Sequence, residues 1–124
     1  MKVRCLVHDV ADAARFYVDH LGFTLAVQLG DALAVLERDG LTLWVSGPST
    51  APAQPLPDGR HPQPGGWNRI VIEVESLVNW IDRLSVAGIH PRSAPVAGPL
   101  GVHVLVDDPS GNAIELFQSH APAG

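Results

Sequence analysis

Residues 2–8 alternate in character. Val3, Cys5 and Val7 fall on one side and Lys2, Arg4, Leu6 and His8 on the other, which is the period-two pattern of a half-buried strand. Asp9 then supplies an N-cap, and Asp12 places a carboxylate in the first turn of a helix. Ala13, Phe16, Tyr17 and Leu21 give that helix its apolar stripe, and Gly22 stops it. Strands are predicted over 23–29, 32–37 and 41–45, punctuated by Gly30-Asp31 and Asp39-Gly40. Asp-Gly between apolar runs marks a tight turn, because glycine supplies the positive φ. Residues 46–66 break the pattern with six Pro and four Gly, and read as a linker or long loop. Alternation resumes at 69–74, where Ile70, Ile72 and Val74 oppose Arg69, Val71 and Glu73. Ser76 caps a second helix with the stripe Leu77, Trp80, Ile81 and Leu84, ended by Gly88. Strands are predicted over 91–96, 102–107 and 113–118, with Pro109-Ser110-Gly111-Asn112 as a turn.

The order βαβββ thus occurs twice. Lys2 opens the first strand as Arg69 opens its counterpart, and Thr42-Leu43 aligns with Glu115-Leu116. Such a repeat reads as two copies of one supersecondary unit, each too small to bury its sheet alone. The expected fold class is α+β: two βαβββ modules forming a curved mixed sheet with a concave cleft, and helices on the outer face. The expected organisation is a single domain over 1–120 (module 1–45, linker 46–66, module 67–118) and a tail over 119–124.

Composition narrows the classes. The 124 residues are 46% hydrophobic and 17% charged, enough apolar matter for a real core. The net charge of −5 argues against a nucleic-acid binder, which needs a basic face. The one cysteine, Cys5, excludes an internal disulfide framework and reads as a buried apolar residue. No apolar run approaches the roughly 20 residues that span a bilayer, and the N-terminus lacks the apolar stretch of a signal peptide. The expectation is a cytoplasmic protein with no membrane or nucleic-acid partner.

Three segments carry a resemblance: ADAARFYVDHLGF after the first strand, PGGWNRIVIEVESL at the second module, and GPLGVHVLVDDPSGNAIELFQ near the end. Over residues 1–118 the chain resembles the vicinal oxygen chelate superfamily, which includes glyoxalase I, extradiol dioxygenases, and fosfomycin- and bleomycin-resistance proteins. In its metal-dependent members each module supplies two ligands, near the start of its first strand and in its last strand. Carried onto this sequence, those positions are Lys2, Thr42, Arg69 and Glu115. Only Glu115 is an ordinary ligand of a divalent cation; protonated Lys and Arg have no free lone pair, and Thr is a poor ligand alone. The resemblance therefore implies no cofactor here, with an ionic cluster in the metal's place. A divalent metal on His103 and Glu115, completed by Glu73 or His61, is the alternative. Relatives often pair their modules across an interface, which implies a homodimer.

By strand alternation, Glu115 brings Phe117 to the cleft, Thr42 brings Trp44, Arg69 brings Val71 and Glu73, and Lys2 brings Arg4 and Leu6. Resemblance to the fosfomycin-resistance relatives adds His103 and Leu105. The candidate ligand-binding residues are Lys2, Arg4, Thr42, Trp44, Arg69, Glu73, Leu105 and Phe117. Glu115 and His103 are the candidate catalytic residues. An apolar cleft with a few convergent polar groups is the usual make-up of a small-molecule site. The first expectation is a metal-free protein of the bleomycin-resistance type that binds a small aromatic or anionic compound. The alternative is a glyoxalase-like lyase or isomerase, or a dioxygenase-related enzyme, with Glu115 or His103 as general base, with or without a metal.

Overall fold

The protein is described by a computed structural model covering residues 1–120. The part of the expected tail over 121–124 lies outside the described residues. The fold is α+β, with two four-stranded mixed sheets and two α-helices. The described residues divide into two compact units, one of residues 1–66 with 108–112, the other of residues 67–107 with 113–120.

The first unit begins with β1 (Lys2–Leu6) and α1 (Val10–Leu21), then β2 (Thr24–Leu29), β3 (Leu33–Arg38) and β4 (Leu41–Ser46). The strand order is β1-β4-β3-β2, with β1 parallel to β4 and the other pairs antiparallel. Helix α1 starts where the Asp9 carboxylate accepts from Asp12 N–H at 2.9 Å. It ends at Gly22, whose φ of 77° is the left-handed conformation that closes a helix. The β3–β4 hairpin turns on Asp39 (φ 47°) and Gly40 (φ 82°), the double positive φ of a two-residue turn matched to strand twist.

One face of this sheet is core. Tyr17 and Leu21 of α1 are fully buried, as are Leu36, Leu43 and Val45 of the strands. Burying a Leu is worth about 1.5–3 kcal/mol, so this face carries the stability and the opposite face is free for other work.

The second unit contains β5 (Arg69–Glu73), α2 (Leu77–Val86), β6 (Val96–Ala97), β7 (Gly101–Asp107) and β8 (Ala113–Ser119). Its order is β5-β8-β7-β6, with β5 parallel to β8. Ser76 Oγ caps α2 by accepting from Asn79 N–H at 3.2 Å, and Leu77 N–H donates to Gln118 Oε1 at 2.8 Å. Ile72, Leu84, Val104, Val106, Ile114 and Leu116 form the core of this unit.

Several expectations are corrected. The strand expected over 91–96 is reduced to Val96–Ala97, because Pro91 and Pro95 have no N–H for a ladder. Strand β1 stops at Leu6, where His8 N–H turns to Ser110 Oγ at 2.8 Å. Ser119 is the last residue of β8, and His120 N–H donates to Leu100 O at 3.0 Å. Residues 46–66 pack with the first unit, contributing a short 3-10 helix (Ala51–Ala53) with Ala53 buried. The alignment of Thr42 with Glu115 does not match the strand pairing. Lys2 pairs with Thr42 and Arg4 with Trp44, whereas Arg69 pairs with Ala113 and Val71 with Glu115. With Lys2 equivalent to Arg69, the position equivalent to Glu115 is Trp44.

Candidate functional site

The free face of the first sheet is built from ranks of laterally paired residues. One rank is Arg4, Trp44, Val35 and Val27; the next is Leu6, Ser46, Leu33 and Leu29. Paired residues on one face lie within side-chain reach of each other. The Lys2 ammonium lies 5.5 Å from the centroid of the Trp44 ring, and the Arg4 guanidinium 4.8 Å from it. Both are within the roughly 6 Å at which a cation is drawn to an aromatic face. Arg4 also donates from Nη1 to Ser46 Oγ at 3.0 Å, which orients its guanidinium. Among the described residues neither Lys2 nor Arg4 has a carboxylate within 4.0 Å. The indole is half-buried, and Val27 and Leu29, two strands away on the same face, are 47% and 59% exposed. The face is an apolar strip edged by two cations that make no ion pair among the described residues.

A third rank joins Lys2, Thr42, Glu37 and Thr24. Thr24, Glu37 and Thr42, with the Asp39-Gly40 turn, line a polar groove of about 540 Å³.

The free face of the second sheet has a different chemistry. Val71, Glu115 and Leu105 form one rank; Glu73, Phe117 and His103 form the next. Arg69 Nη1 donates to Glu115 Oε1 at 3.2 Å, with side-chain exposures of 31% and 15%. Glu115 thus sits between two apolar neighbours with its charge matched. Phe117 is held by a close approach: a Cβ at Gly101 would lie 2.1 Å from Gln118 O and 2.8 Å from Phe117 Cζ. Only glycine fits there.

Of the residues singled out in the sequence, Lys2, Arg4, Thr42 and Trp44 share the free face of the first sheet. Arg69, Glu73, His103, Leu105, Glu115 and Phe117 share that of the second. Sequence reasoning missed Ser46, Val35, Val27 and Leu29. The alternation of Leu33, Val35 and Glu37 carried the signal for β3, but their ranking beside Trp44 depends on pairing.

The four positions to which the resemblance assigns metal ligands carry a donor set unsuited to a divalent ion. Lys2 and Arg69 present cations, Thr42 a neutral hydroxyl, and Glu115 is held by Arg69. The register substitutes Trp44 for Thr42, and an indole N–H is no better a ligand. These residues do not fit a divalent ion. Among the described residues no three His, Cys, Asp or Glu side chains gather in a group able to hold a metal ion.

One buried polar cluster serves the fold. The Asp108 carboxylate is 4% exposed. It accepts from Tyr17 Oη at 2.9 Å, Ser110 N–H at 2.8 Å, and both the backbone N–H and the side-chain amide of Asn112 at 2.9 Å. Asn112 Nδ2 also donates to Leu6 O at 2.8 Å. Burial, and then the nearby Cys5 and Asp108, push the Tyr17 phenol well above its ordinary pKa. Burial, with Asp108 adding to it, pushes the Cys5 thiol up to about 12. Cys5 is therefore a protonated core residue and not a nucleophile at neutral pH.

Among the described residues no helix is long and apolar enough to cross a membrane. No curated protein matches the sequence. Among solved structures the chain is similar to a lactoylglutathione lyase from Agrobacterium tumefaciens, at 22% identity and TM-score 0.75, covering 95% of this chain and 91% of that one. It is also similar to TnmS3, an antibiotic binding protein from a Streptomyces species, at 24% identity and TM-score 0.72, covering 95% and 93%. A glyoxalase-related enzyme from Fulvimarina pelagi aligns at 20% identity and TM-score 0.74, covering 99% and 90%. At these identities the likeness is one of fold. A family model for Glyoxalase/Bleomycin resistance protein/Dioxygenase superfamily matches residues 2–116, and with the paired βαβββ units this places the chain in that superfamily.

Proposed function

We propose that the chain is a metal-independent binding protein for a small compound with a planar apolar body and an anionic group. The observation that carries this reading is the Trp44 indole bracketed by the Lys2 and Arg4 cations. An aromatic ring stacked on the indole gains offset-stacking energy, while a carboxylate or phosphate at its edge meets two donors that lack a carboxylate partner. Val35, Val27 and Leu29 extend the apolar floor. The antibiotic-binding neighbour supports the binding reading by analogy of fold alone. The ligand-binding role of Arg69, Glu73, Leu105 and Phe117, and assembly as a homodimer, belong to the same proposal. The test is a titration of Trp44 emission with 2-naphthoate in a W67F/W80F background. Saturable quenching that weakens in K2A and R4A is expected; quenching indifferent to both substitutions, or none, sinks the reading.

A second reading rests on Glu115, which is 15% exposed between Val71 and Leu105 with His103 on the neighbouring strand. A carboxylate in apolar surroundings is a candidate general base, and Arg69 is placed to stabilise a developing oxyanion. As a base Glu115 would have to leave its ion pair. Isomerase or lyase turnover abolished by E115Q would select this reading, and turnover untouched by E115Q would remove it.

A further inference from the structure

Adjoining that sheet face at Leu6, a pocket of about 240 Å³ opens in the first unit where β1 gives way to α1. Its walls include Leu6, Pro48, Ala53 and Pro64, and two imidazoles, His8 and His61, line it. We infer that this pocket is a second binding site, for a one- or two-ring compound with a single hydrogen-bonding group such as a phenol.

Three observations support the assignment. First, the walls are held in place by the chain itself. The segment over 46–66 is tied down near one end, where Gly47 N–H donates to Ala32 O at 2.8 Å and Thr50 Oγ1 donates to Gly47 O at 2.7 Å. It is tied down again at the other, where Gly65 N–H donates to Asn112 Oδ1 at 2.7 Å. Six prolines between these anchors remove backbone freedom, so little ordering is left to oppose binding. Second, the volume selects the ligand. An engineered apolar cavity of about 150 Å³ takes benzene, while drug-sized ligands occupy roughly 300 Å³ or more. A space of 240 Å³ fits one or two fused rings. Third, the walls are largely apolar, with polar side chains only at His8, His61 and Gln63. A neutral imidazole can both donate and accept a hydrogen bond, which suits a hydroxyl. Gly47 fixes the base of the segment, because a Cβ there would lie 2.9 Å from Asp31 O and 3.0 Å from Val10 Cγ2.

The experiment is an NMR titration of the full chain with 2-naphthol, following the ring signals of His8 and His61. Saturable shifts of both are expected. Ala53→Leu, which fills the pocket, should weaken binding at least tenfold, and His61→Ala, on an exposed residue, at least threefold. The absence of saturable shifts would overturn the inference, as would binding unchanged in both variants. Loss of 2-naphthol binding in W44A with retention in A53L would place the compound on the sheet face and overturn it too. The 2-naphthoate quenching of Trp44 is a separate readout, so failure of one proposal does not entail failure of the other.

Discussion

Replacing Tyr17 by Phe removes one oxygen and nothing else, which makes it a clean probe of the buried Asp108 cluster. The phenol donates to a carboxylate at 2.9 Å in a place that water does not reach. Hydrogen bonds to charged groups contribute about 1.5–3 kcal/mol. Three other donors remain on Asp108, so the loss falls in the lower half, about 1.5–2 kcal/mol. For a chain of this length each kcal/mol moves Tm by about 3–6 °C, so Y17F should melt about 5–12 °C below the parent. Asp108→Ala strands the Tyr17 hydroxyl, two backbone N–H groups and the Asn112 amide together, and should cost at least about 1 kcal/mol more. Because the two residues share one bond, the double variant should be little worse than D108A alone. Urea melts of the four proteins decide it. A Y17F protein within about 0.5 kcal/mol of the parent, or strictly additive losses, would refute the view of this cluster as a cooperative lock.

The same cluster sets a response to alkali. The folded state holds the Cys5 and Tyr17 protons more tightly than the unfolded chain, whose thiol and phenol ionise near 8.5 and 10. Their stabilising contribution is complete below about pH 8 and is lost as pH rises, the Cys5 part fading between about 9 and 12; a Tm series should therefore decline above pH 9, less steeply in C5A. Gly101→Ala forces a Cβ onto Gln118 O and should cost about 1–3 kcal/mol or more while shifting the Phe117 ring signals in NMR. Removing Lys2 or Arg4 by alanine substitution should weaken 2-naphthoate roughly two- to fivefold each, the worth of one cation at a ring face, and salt should weaken it in parallel. Exhaustive dialysis against a chelator should leave the 2-naphthoate titration unchanged; a loss restored by zinc or nickel would contradict the donor chemistry of Lys2, Thr42, Arg69 and Glu115.

Local chemistry made much of the fold readable in advance. Asp9 and Ser76 start the helices, Gly22 ends the first, and Asp39-Gly40 turns the hairpin, because each acts within five residues of itself. Alternation likewise sorted Lys2, Arg4, Thr42 and Trp44 from Cys5, Leu43 and Val45. Register was not readable. It depends on which strand lies alongside, so the equivalence of Trp44 and Glu115 required the pairings. Residues 91–96 show the limit of reading by position in a repeat, since Pro91 and Pro95 offer no N–H to a ladder and Arg92, Ser93 and Ala94 between them do not favour a strand. The order within 46–66 escaped notice because its ties are long-range, such as Gly65 to Asn112, and leave no periodic trace.

Residues 108–112 come late in the chain yet belong with its first 66 residues. The duplicated plan is therefore interlocked in sequence even though it repeats in form. A fragment ending at Gly66 would keep the Tyr17 phenol but lack the carboxylate that receives it. The proline-rich segment is therefore not a clean seam: cutting there parts the early helix from the late turn that receives its phenol.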